Sequence, residues 1–229
     1  PASKGISMGK PFIYKVELPS YSYETDANIA AEKEITEYDE AIQKSRKELN
    51  KIFSLAKEKL DDKNLQIFDA QLSFLYDEFL HGTVKQRIKG ENKPAYQVFN
   101  EEIKNLENAL LTSKDDYIRE RISDIEDIKS RVLRNLVKGR LISKIDENCI
   151  VVARNLTPAD TILFSNRKLL GIATDLGGVN SHVAIISRSL NIPAVVGIKD
   201  FSIHAEADDF LIIDGYKGLM IRNPSNSTL

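Results

Sequence analysis

Glycine and proline are distributed very unevenly along this chain, and that distribution constrains the fold more than any other feature. Residues 24–138 contain only two of the eleven glycines and one of the seven prolines. Both residue types interrupt helices, so a long stretch almost without them is typical of a set of helices, whereas their frequent use suits short strands and turns. The sequence therefore predicts an α/β domain, residues 1–23 and 139–229, with a helical subdomain inserted at 24–138.

Apolar residues recur at three- and four-residue intervals throughout the predicted helical subdomain, which is the spacing of amphipathic helices. The four segments with this spacing run from Ile35 to Leu60, from Leu65 to near His81 and Gly82, from Pro94 to Leu110, and from Ile118 to near Gly139. We therefore predict four helices joined by short connections, with most of their apolar residues in a common core.

The remainder of the chain predicts short strands and two short helices. Apolar or β-branched runs of strand length occupy Ile6–Lys15 (two strands broken at residues 9–11), Cys149–Ala153, Leu169–Asp175, Ala194–Gly197, Phe210–Asp214 and Leu219–Arg222. The helices are expected from Thr157 to about Ser165 and from Ser181 to about Leu190. Thr157, Pro158 and Asp160 fit an N-cap, a first-turn proline and an acidic third residue.

Charge and composition exclude several classes of partner. The chain has 32 Lys and Arg against 34 Asp and Glu, so it lacks the positive charge expected for binding nucleic acid or an anionic membrane. No apolar run approaches the roughly 18 residues that span a bilayer, and no signal peptide precedes the first strand. The single cysteine, Cys149, is predicted to be a buried strand thiol. We therefore expect a cytoplasmic protein with no metal site in this chain.

The segment richest in chemistry follows the strand that is predicted to end near Asp175. Gly177 and Gly178 come next, and paired glycines permit positive φ and close approach of a ligand to the backbone. Ser181 is a suitable N-cap, so His182 falls in the first turn of a helix, beside unpaired N–H groups and the positive end of the dipole. Such a helix N-terminus can bind a phosphate group. The segment has neither the Walker nor the dinucleotide-binding spacing.

A histidine fixed beside an anion site can attack phosphorus, because a neutral imidazole nitrogen has a lone pair and the helix N-terminus can stabilise the product. Glycine-rich turns from strand to helix are common, however, so a helix-terminal histidine that only hydrogen-bonds a neighbour has the same spacing. Spacing alone leaves both interpretations open. The other two histidines, His81 and His204, have no comparable setting and are expected in a surface turn and a loop.

Residues 177–197 resemble the phosphohistidine motif of phosphoenolpyruvate-utilising enzymes, in which two glycines precede Ser-His and a helical arginine precedes Ile-Pro-Ala-Val-Val-Gly. Residues 2–10, 116–121 and 155–161 are similar to further segments of one such family, enzyme I of the bacterial phosphoenolpyruvate:sugar phosphotransferase system. Lys4 departs from this pattern, because the family usually has proline there. The resemblance covers the whole chain, but only the N-terminal half of enzyme I.

This resemblance implies a swivelling phosphohistidine α/β domain with an inserted four-helix HPr-binding subdomain. His182 would accept a phosphoryl group from phosphoenolpyruvate through Nε2 and pass it to a histidine of HPr, the small phosphocarrier of sugar uptake. Phosphoenolpyruvate and Mg²⁺ would be bound by a C-terminal barrel outside this sequence, so the fragment would need no cofactor and would exchange phosphoryl groups with HPr alone. The fragment would be monomeric, and the full-length enzyme a homodimer.

The resemblance also implies roles for residues around His182. The Thr161 hydroxyl would hydrogen-bond the resting histidine, and Lys63, with Asn64 as the competing position, would pair with the phosphohistidine. Arg188 would contact phosphoenolpyruvate on the barrel, or would be only a solvated charge in the fragment. The candidates for binding HPr are acidic and apolar residues near the second helix, some of which must be core, namely Asp62, Leu75, Asp77, Glu78, Phe79 and Leu80.

Two other hypotheses are open. One is a non-catalytic helical binding module on an α/β scaffold, which has no need of Ser-His at a helix N-terminus. The other keeps the phosphohistidine chemistry, but the related enzyme would be pyruvate phosphate dikinase or phosphoenolpyruvate synthase. Those enzymes share the histidine domain but lack a helical insertion within it, so the predicted 24–138 subdomain favours enzyme I.

Overall fold

The computed structural model describes residues 1–15, 30–111, 116–137 and 147–225, with the backbone alone at 116–121 and 123. The helices are α1 (Ala31–Lys57), α2 (Asp62–Leu75), α3 (Glu78–Glu91), α4 (Ala95–Leu111), α5 (Asp116–Leu136), α6 (Pro158–Ser165), α7 (His182–Ser189) and α8 (Phe201–His204). The strands are β1 (Ile6–Gly9), β2 (Pro11–Tyr14), β3 (Ile150–Ala153), β4 (Gly171–Thr174), β5 (Ala194–Val196), β6 (Leu211–Asp214) and β7 (Leu219–Arg222). Each predicted strand is confirmed to within two residues at either end.

The chain divides into two compact units. The α/β unit consists of Pro1–Val16, Ile52–Gln66 and Ile142–Leu229, and the helical unit consists of Glu17–Lys51 and Ile67–Leu141. The predicted fold class, an α/β domain with an inserted helical subdomain, is confirmed.

In the described part of the α/β unit, the strands form two sheets. The parallel sheet has the strand order β2-β3-β4-β5, and the antiparallel sheet has the order β1-β6-β7. Only Lys10 separates β1 from β2, so the chain passes from one sheet to the other within a single residue. In the parallel sheet Val152 aligns with Ala173, and in the antiparallel sheet Met8 aligns with Ile212.

The core of the α/β unit is built on both faces of the central strand β3, all of whose residues are buried. Successive side chains of a strand point to opposite faces. Val151 accordingly lies in one cluster with Phe164 of α6 and Val183 of α7, whereas Val152 lies in another with Leu211 of β6. The parallel sheet is thus covered by α6 and α7 on one face and by the antiparallel sheet together with α8 on the other.

Five helices, rather than the predicted four, occupy the inserted stretch within the described residues. The difference arises at Asp77, whose carboxylate Oδ1 accepts the backbone N–H groups of Phe79 at 2.9 Å and Leu80 at 3.1 Å. This is an N-cap arrangement, so a new helix, α3, begins here and continues through Gly82. The apolar spacing from Leu65 to Phe79 runs across the junction, which is why periodicity predicted a single helix.

In the helical unit, α4 packs against both α3 and α5. Large side chains that are almost completely buried there include Tyr38, Leu49, Phe99, Ile103 and Ile128. Among the helices that the structure describes, none combines the length and the apolar character needed to cross a membrane.

The predicted boundaries of the helical subdomain, at 23/24 and 138/139, lie outside the described residues. Within the described helices the division differs from the prediction, which assigned all of 24–138 to the helical part. Ile52–Gln66, comprising the end of α1 and the start of α2, belongs to the α/β unit.

Two side-chain hydrogen bonds connect this segment to the rest of the α/β unit. Lys59 Nζ donates to Ser165 Oγ at 3.1 Å, and Asn64 Nδ2 donates to Ser189 Oγ at 2.9 Å. The two serines are the last residues of α6 and α7, and their own hydroxyls donate to carbonyls within those helices. The turn between α1 and α2 is therefore held at the C-terminal ends of α6 and α7.

Candidate active site

The segment from β4 to α7 is held firmly where it leaves the sheet. The backbone N–H groups of Asp175 and Leu176 donate to the carbonyls of Ala153 and Arg154, at 3.1 and 3.0 Å. The Asp175 carboxylate is buried and accepts hydrogen bonds from both the backbone N–H and the hydroxyl of Ser202. Because β4 is a parallel strand, the loop that follows it lies at the carboxyl edge of the sheet, where α/β folds bind ligands.

The two glycines of this loop are needed for different reasons. Gly177 has φ +102°, and a Cβ placed on it would lie 3.1 Å from Ser181 Oγ, so a side chain there would be strained. Gly178 has no positive φ, and a Cβ placed on it would have no heavy atom within 4 Å among the described residues. The fold therefore requires glycine at 177 but leaves open space at 178.

Helix α7 begins with the predicted cap. Ser181 has an extended backbone (φ −64°, ψ 154°), and its Oγ accepts the N–H of Ala184 at 3.4 Å. His182 is the first residue of the helix and is partly buried. The first turn of a helix leaves backbone N–H groups without partners inside the helix, and the helix dipole adds positive potential. His182 thus lies beside a group of donors suited to a phosphate.

Helix α6 lies against α7 and begins with a complete capping box. Asp160 N–H donates to Thr157 Oγ1 at 3.0 Å, and Thr157 N–H donates to Asp160 Oδ2 at 3.2 Å. The other carboxylate oxygen of Asp160 accepts the hydroxyl of Tyr14 at 3.2 Å, which ties α6 to β2. The predicted N-cap, first-turn proline and acidic third residue are confirmed.

Thr161 is completely buried on α6, and its Oγ1 donates to the carbonyl of Thr157 at 3.0 Å. With its proton engaged in this way, the hydroxyl oxygen can only accept a hydrogen bond from a further group. The described hydrogen bonds of Thr161 therefore constrain the part it can play toward an imidazole.

Lys63 and Asn64, the two competing positions, have different surroundings. Lys63 is exposed. Asn64 is bound to Ser189, the last residue of α7, while His182 is the first. Seven residues of helix span about 10 Å, so the Asn64 contact lies at the opposite end of α7 from the histidine.

The residues predicted from the sequence to bind a partner protein include both buried and exposed side chains. Leu75 and Leu80 are buried in the helical unit, with 1% and 8% exposure. Phe79 is 85% exposed, and the neighbouring Tyr76 is 51% exposed. Asp62, Asp77 and Glu78 are exposed acidic residues. The exposed apolar side chains at this helix junction are therefore Phe79 and Tyr76. The sequence does not indicate Tyr76, because its spacing does not set it apart from the neighbouring apolar residues.

The other two histidines have unlike surroundings. His204, the last residue of α8, is exposed. The prediction of a surface turn for His81 is wrong, because His81 lies inside α3 and is buried among α1 and α2 residues. Its Nδ1 contacts the Tyr38 hydroxyl at 2.7 Å and its Nε2 contacts the Leu75 carbonyl at 2.9 Å.

Arg188 has a structural contact that the sequence did not reveal. Its Nη1 donates to the carbonyls of Val179 and Ala2, at 2.8 and 2.9 Å. Since Ala2 is 186 positions away in the chain, no local pattern could have identified it. Among the residues that the structure describes, no group of three or more His, Cys, Asp or Glu side chains is arranged to hold a metal ion.

Two family models match the chain. The model described as "PEP-utilising enzyme, N-terminal" matches residues 1–121, and the model described as "PEP-utilising enzyme, mobile domain" matches residues 145–218. The second range contains the glycine loop and His182. The chain therefore belongs to the family of phosphoenolpyruvate-utilising enzymes.

Curated relatives are similar over the whole chain. The phosphoenolpyruvate-protein phosphotransferase of Listeria innocua is 36% identical over 230 residues, covering 100% of this chain and 40% of the relative. That of Geobacillus stearothermophilus is 36% identical over 231 residues, covering 100% of this chain and 39% of the relative. The chain thus spans about 40% of the length of these relatives.

One similar solved structure identifies the family more specifically as enzyme I. An NMR solution structure of Enzyme I is 34% identical, with a TM-score of 0.79, and the match covers 99% of this chain and 92% of that one. The N-terminal domain of Enzyme 1 - Nitrogen is 22% identical with a TM-score of 0.68, covering 100% and 94%, which supports the fold alone. The chain belongs to the enzyme I family of phosphoenolpyruvate-utilising enzymes and corresponds to its N-terminal part.

Proposed function

We propose that this chain is the phosphoryl-carrier part of an enzyme I, acting in the cytoplasm in phosphotransferase-dependent sugar uptake. His182 takes up a phosphoryl group that originates from phosphoenolpyruvate and transfers it to a histidine of HPr. The observation that carries the proposal is the position of His182, the first residue of α7 after a loop in which Gly177 has a positive φ. The names of the curated relatives, phosphoenolpyruvate-protein phosphotransferase, supply the donor and the reaction class.

The transfer is a reversible exchange between two imidazoles. In the reverse direction, the lone pair of His182 Nε2 attacks phosphorus in line with the P–N bond of phospho-HPr. A new P–N bond forms on His182 as the old one breaks, and its electron pair returns to the HPr imidazole. The N–H groups of the first turn of α7 stabilise charge on the phosphoryl oxygens. Gly178, where the chain leaves open space, allows the group to approach the backbone.

Thr161 fixes which nitrogen of His182 reacts. Its hydroxyl proton is engaged by the Thr157 carbonyl, so its oxygen is an acceptor for Nδ1–H of the imidazole. A histidine that carries its proton on Nδ1 has its lone pair on Nε2, which is the nucleophile required. Lys63, exposed at the start of α2, remains the candidate to pair with the phosphorylated ring.

The surface for HPr lies at the junction of α2 and α3. Phe79 and Tyr76 provide exposed apolar area, and Asp77 and Glu78 provide negative charge beside them in the sequence. Asp62 is at the other end of α2, in the α/β unit, and is a separate candidate. Aromatic side chains that become buried on association contribute much of the binding energy of an interface. Phosphoenolpyruvate and Mg²⁺ are bound by residues outside this sequence.

The test is exchange with phosphorylated HPr, followed by mass spectrometry of the chain. We expect one phosphoryl group on a peptide containing His182, none in a His182→Ala variant, and unchanged uptake in a His204→Ala variant, which removes an exposed histidine of the same unit. Incubation with phosphoenolpyruvate alone should leave the chain unlabelled. Uptake by His182→Ala at the wild-type rate would overturn the proposal, and so would a wild-type chain that takes up nothing, as a non-catalytic binding module requires.

A further inference from the structure

Arg188 joins two segments that are far apart in the sequence. A single guanidinium nitrogen, Nη1, donates to the carbonyl of Val179 at 2.8 Å and to the carbonyl of Ala2 at 2.9 Å. Val179 lies in the loop three residues before His182, and Ala2 lies in the N-terminal segment. The arginine side chain itself is exposed, so it contributes little to the apolar core.

The N-terminal segment is a fixed support for this contact. The backbone N–H groups of Ala2 and Ser3 donate to the Ala194 carbonyl of β5, each at 3.1 Å, and Ala194 N–H donates back to the Ser3 carbonyl at 3.1 Å. Both Ala2 and Ser3 are buried. A hydrogen bond to Ala2 therefore attaches Arg188 to the parallel sheet.

The loop before His182 is held at three places. Leu176 N–H is bound to the Arg154 carbonyl at 3.0 Å, and Ser181 N–H is bound to the Gly178 carbonyl at 2.9 Å. Val179 lies between these two, its side chain is 56% exposed, and the described hydrogen bond to its carbonyl comes from Arg188. Arg188 thus restrains the part of the loop that the two ends leave unsupported.

We propose that Arg188 is a positioning residue for His182. By holding the Val179 carbonyl against the N-terminal segment, it fixes the direction in which the chain enters α7. That direction orients the imidazole of His182 and the N–H groups of the first turn of α7. The planar guanidinium suits this task, because the two N–H bonds of one nitrogen point in fixed directions at two carbonyls. The catalytic consequence rests on the proposed phosphoryl transfer, whereas the structural consequence does not.

The test compares the chain with Arg188→Met, and uses Arg167→Met as the matched control. Arg167 is an arginine of the same unit that makes no described hydrogen bond to the loop. The first readout needs no activity and is the hydrogen exchange of backbone amides in the unphosphorylated chain. In Arg188→Met we expect the Ser181 amide to exchange about tenfold faster, the factor for losing one charge-assisted hydrogen bond. Amides of β3 and α6 should be unchanged, which also shows that the variant is folded.

The second readout is the rate of phosphoryl uptake from phospho-HPr at varied HPr concentration. We expect the maximal rate of Arg188→Met to fall about tenfold, with the half-saturating concentration unchanged, as for a misoriented nucleophile. Arg167→Met should match the wild type in both readouts. Unchanged exchange at Ser181 would overturn the inference whatever the rates, and so would a raised half-saturating concentration at an unchanged maximal rate, which indicates direct contact with HPr. If the wild type takes up no phosphoryl group, the proposed function fails and the exchange readout alone decides the inference.

Discussion

The hydroxyl oxygen of Tyr38 lies 2.7 Å from Nδ1 of His81 inside the helical unit. On the other side of the ring, Nε2 lies 2.9 Å from the carbonyl oxygen of Leu75, which can only accept a hydrogen bond. Nε2 therefore carries a proton. Burial lowers the pKa of His81, which favours the neutral ring, and in that form Nδ1 accepts from the Tyr38 hydroxyl. Burial raises the pKa of the Tyr38 phenol, so it remains a donor. This pair joins α1 to α3 and also reaches the last residue of α2.

The first prediction is that the helical unit loses stability in mild acid through His81. Burial, the largest cause, lowers the pKa of His81 below the ordinary value of 6.5, against the opposing effect of the Leu75 carbonyl. The unfolded chain takes up a proton at about the ordinary value, so it binds more protons than the folded chain just below pH 6.5. The stabilisation is therefore complete above about pH 6.5 and is lost as the pH falls through the lower folded pKa.

Urea unfolding between pH 7.5 and 5.0 checks this prediction. His81→Gln is the control, because glutamine keeps polar groups at the site but does not titrate in this range. The unfolding midpoint of the wild type should fall more steeply with acidification than that of the variant. If the unfolding midpoints of the wild type and the variant fell equally with pH, His81 would not contribute to the loss of stability in acid.

The second prediction concerns the cap of α6. Thr157→Ala removes the Oγ1 that accepts Asp160 N–H, and loss of such an N-cap costs about 1 kcal/mol. Thr157→Ser keeps the oxygen and should lose much less. The measurement is the free energy of unfolding of the α/β unit in urea, and the idea fails if the alanine and serine variants are equally stable.

The third prediction is that Thr161→Ala slows phosphoryl uptake by about tenfold without abolishing it, because the ring of His182 is freed but its nucleophile remains. Thr161→Ser should retain most of the rate. The imidazole ¹⁵N chemical shifts of His182 report the tautomer directly, and the alanine variant should show less Nδ1–H form. An unchanged tautomer would remove Thr161 from the mechanism.

The fourth prediction contrasts two adjacent residues at the start of α3, the exposed aromatic Phe79 and the buried aliphatic Leu80. Phe79→Ala should weaken HPr binding by about tenfold, as expected for an interface aromatic, with little change in stability. Leu80→Ala should instead cost about 2 kcal/mol or more of folding stability, because Leu80 is only 8% exposed. Calorimetric titration with HPr and urea unfolding measure the two effects. Unaltered HPr affinity in Phe79→Ala would place the interface elsewhere.

The fifth prediction contrasts the two glycines of the loop. Gly177→Ala should destabilise the α/β unit by more than about 1 kcal/mol, because φ is +102° there. Gly178→Ala should change stability by less than about 0.5 kcal/mol, since its Cβ meets open space. Uptake from phospho-HPr should nevertheless slow in Gly178→Ala if the phosphoryl group approaches this backbone. Uptake by Gly178→Ala at the wild-type rate would show that the phosphoryl group does not approach the backbone at this position.

Much of the fold could be predicted because the relevant interactions are local. The caps of α6 and α7 join residues three positions apart, Thr157 with Asp160 and Ser181 with Ala184, so both appear in the sequence itself. The break between α2 and α3 is just as local, since Asp77 caps the helix that follows. The apolar periodicity from Leu65 to Phe79 runs across this break, so periodicity alone predicts one helix where the Asp77 cap begins a second.

The sequence by itself determined where the strands and most helices lie and that His182 opens a helix behind a glycine turn, because backbone preference, periodicity and capping act over a few residues. Only the tertiary structure decided that His81 is buried against Tyr38, that Asn64 binds Ser189, and that Arg188 binds the carbonyls of Val179 and Ala2. These contacts join residues as many as 186 positions apart. A hydrogen bond is made wherever folding brings a donor and an acceptor within about 3 Å, and that proximity is set by the packing of whole elements, which no local pattern records.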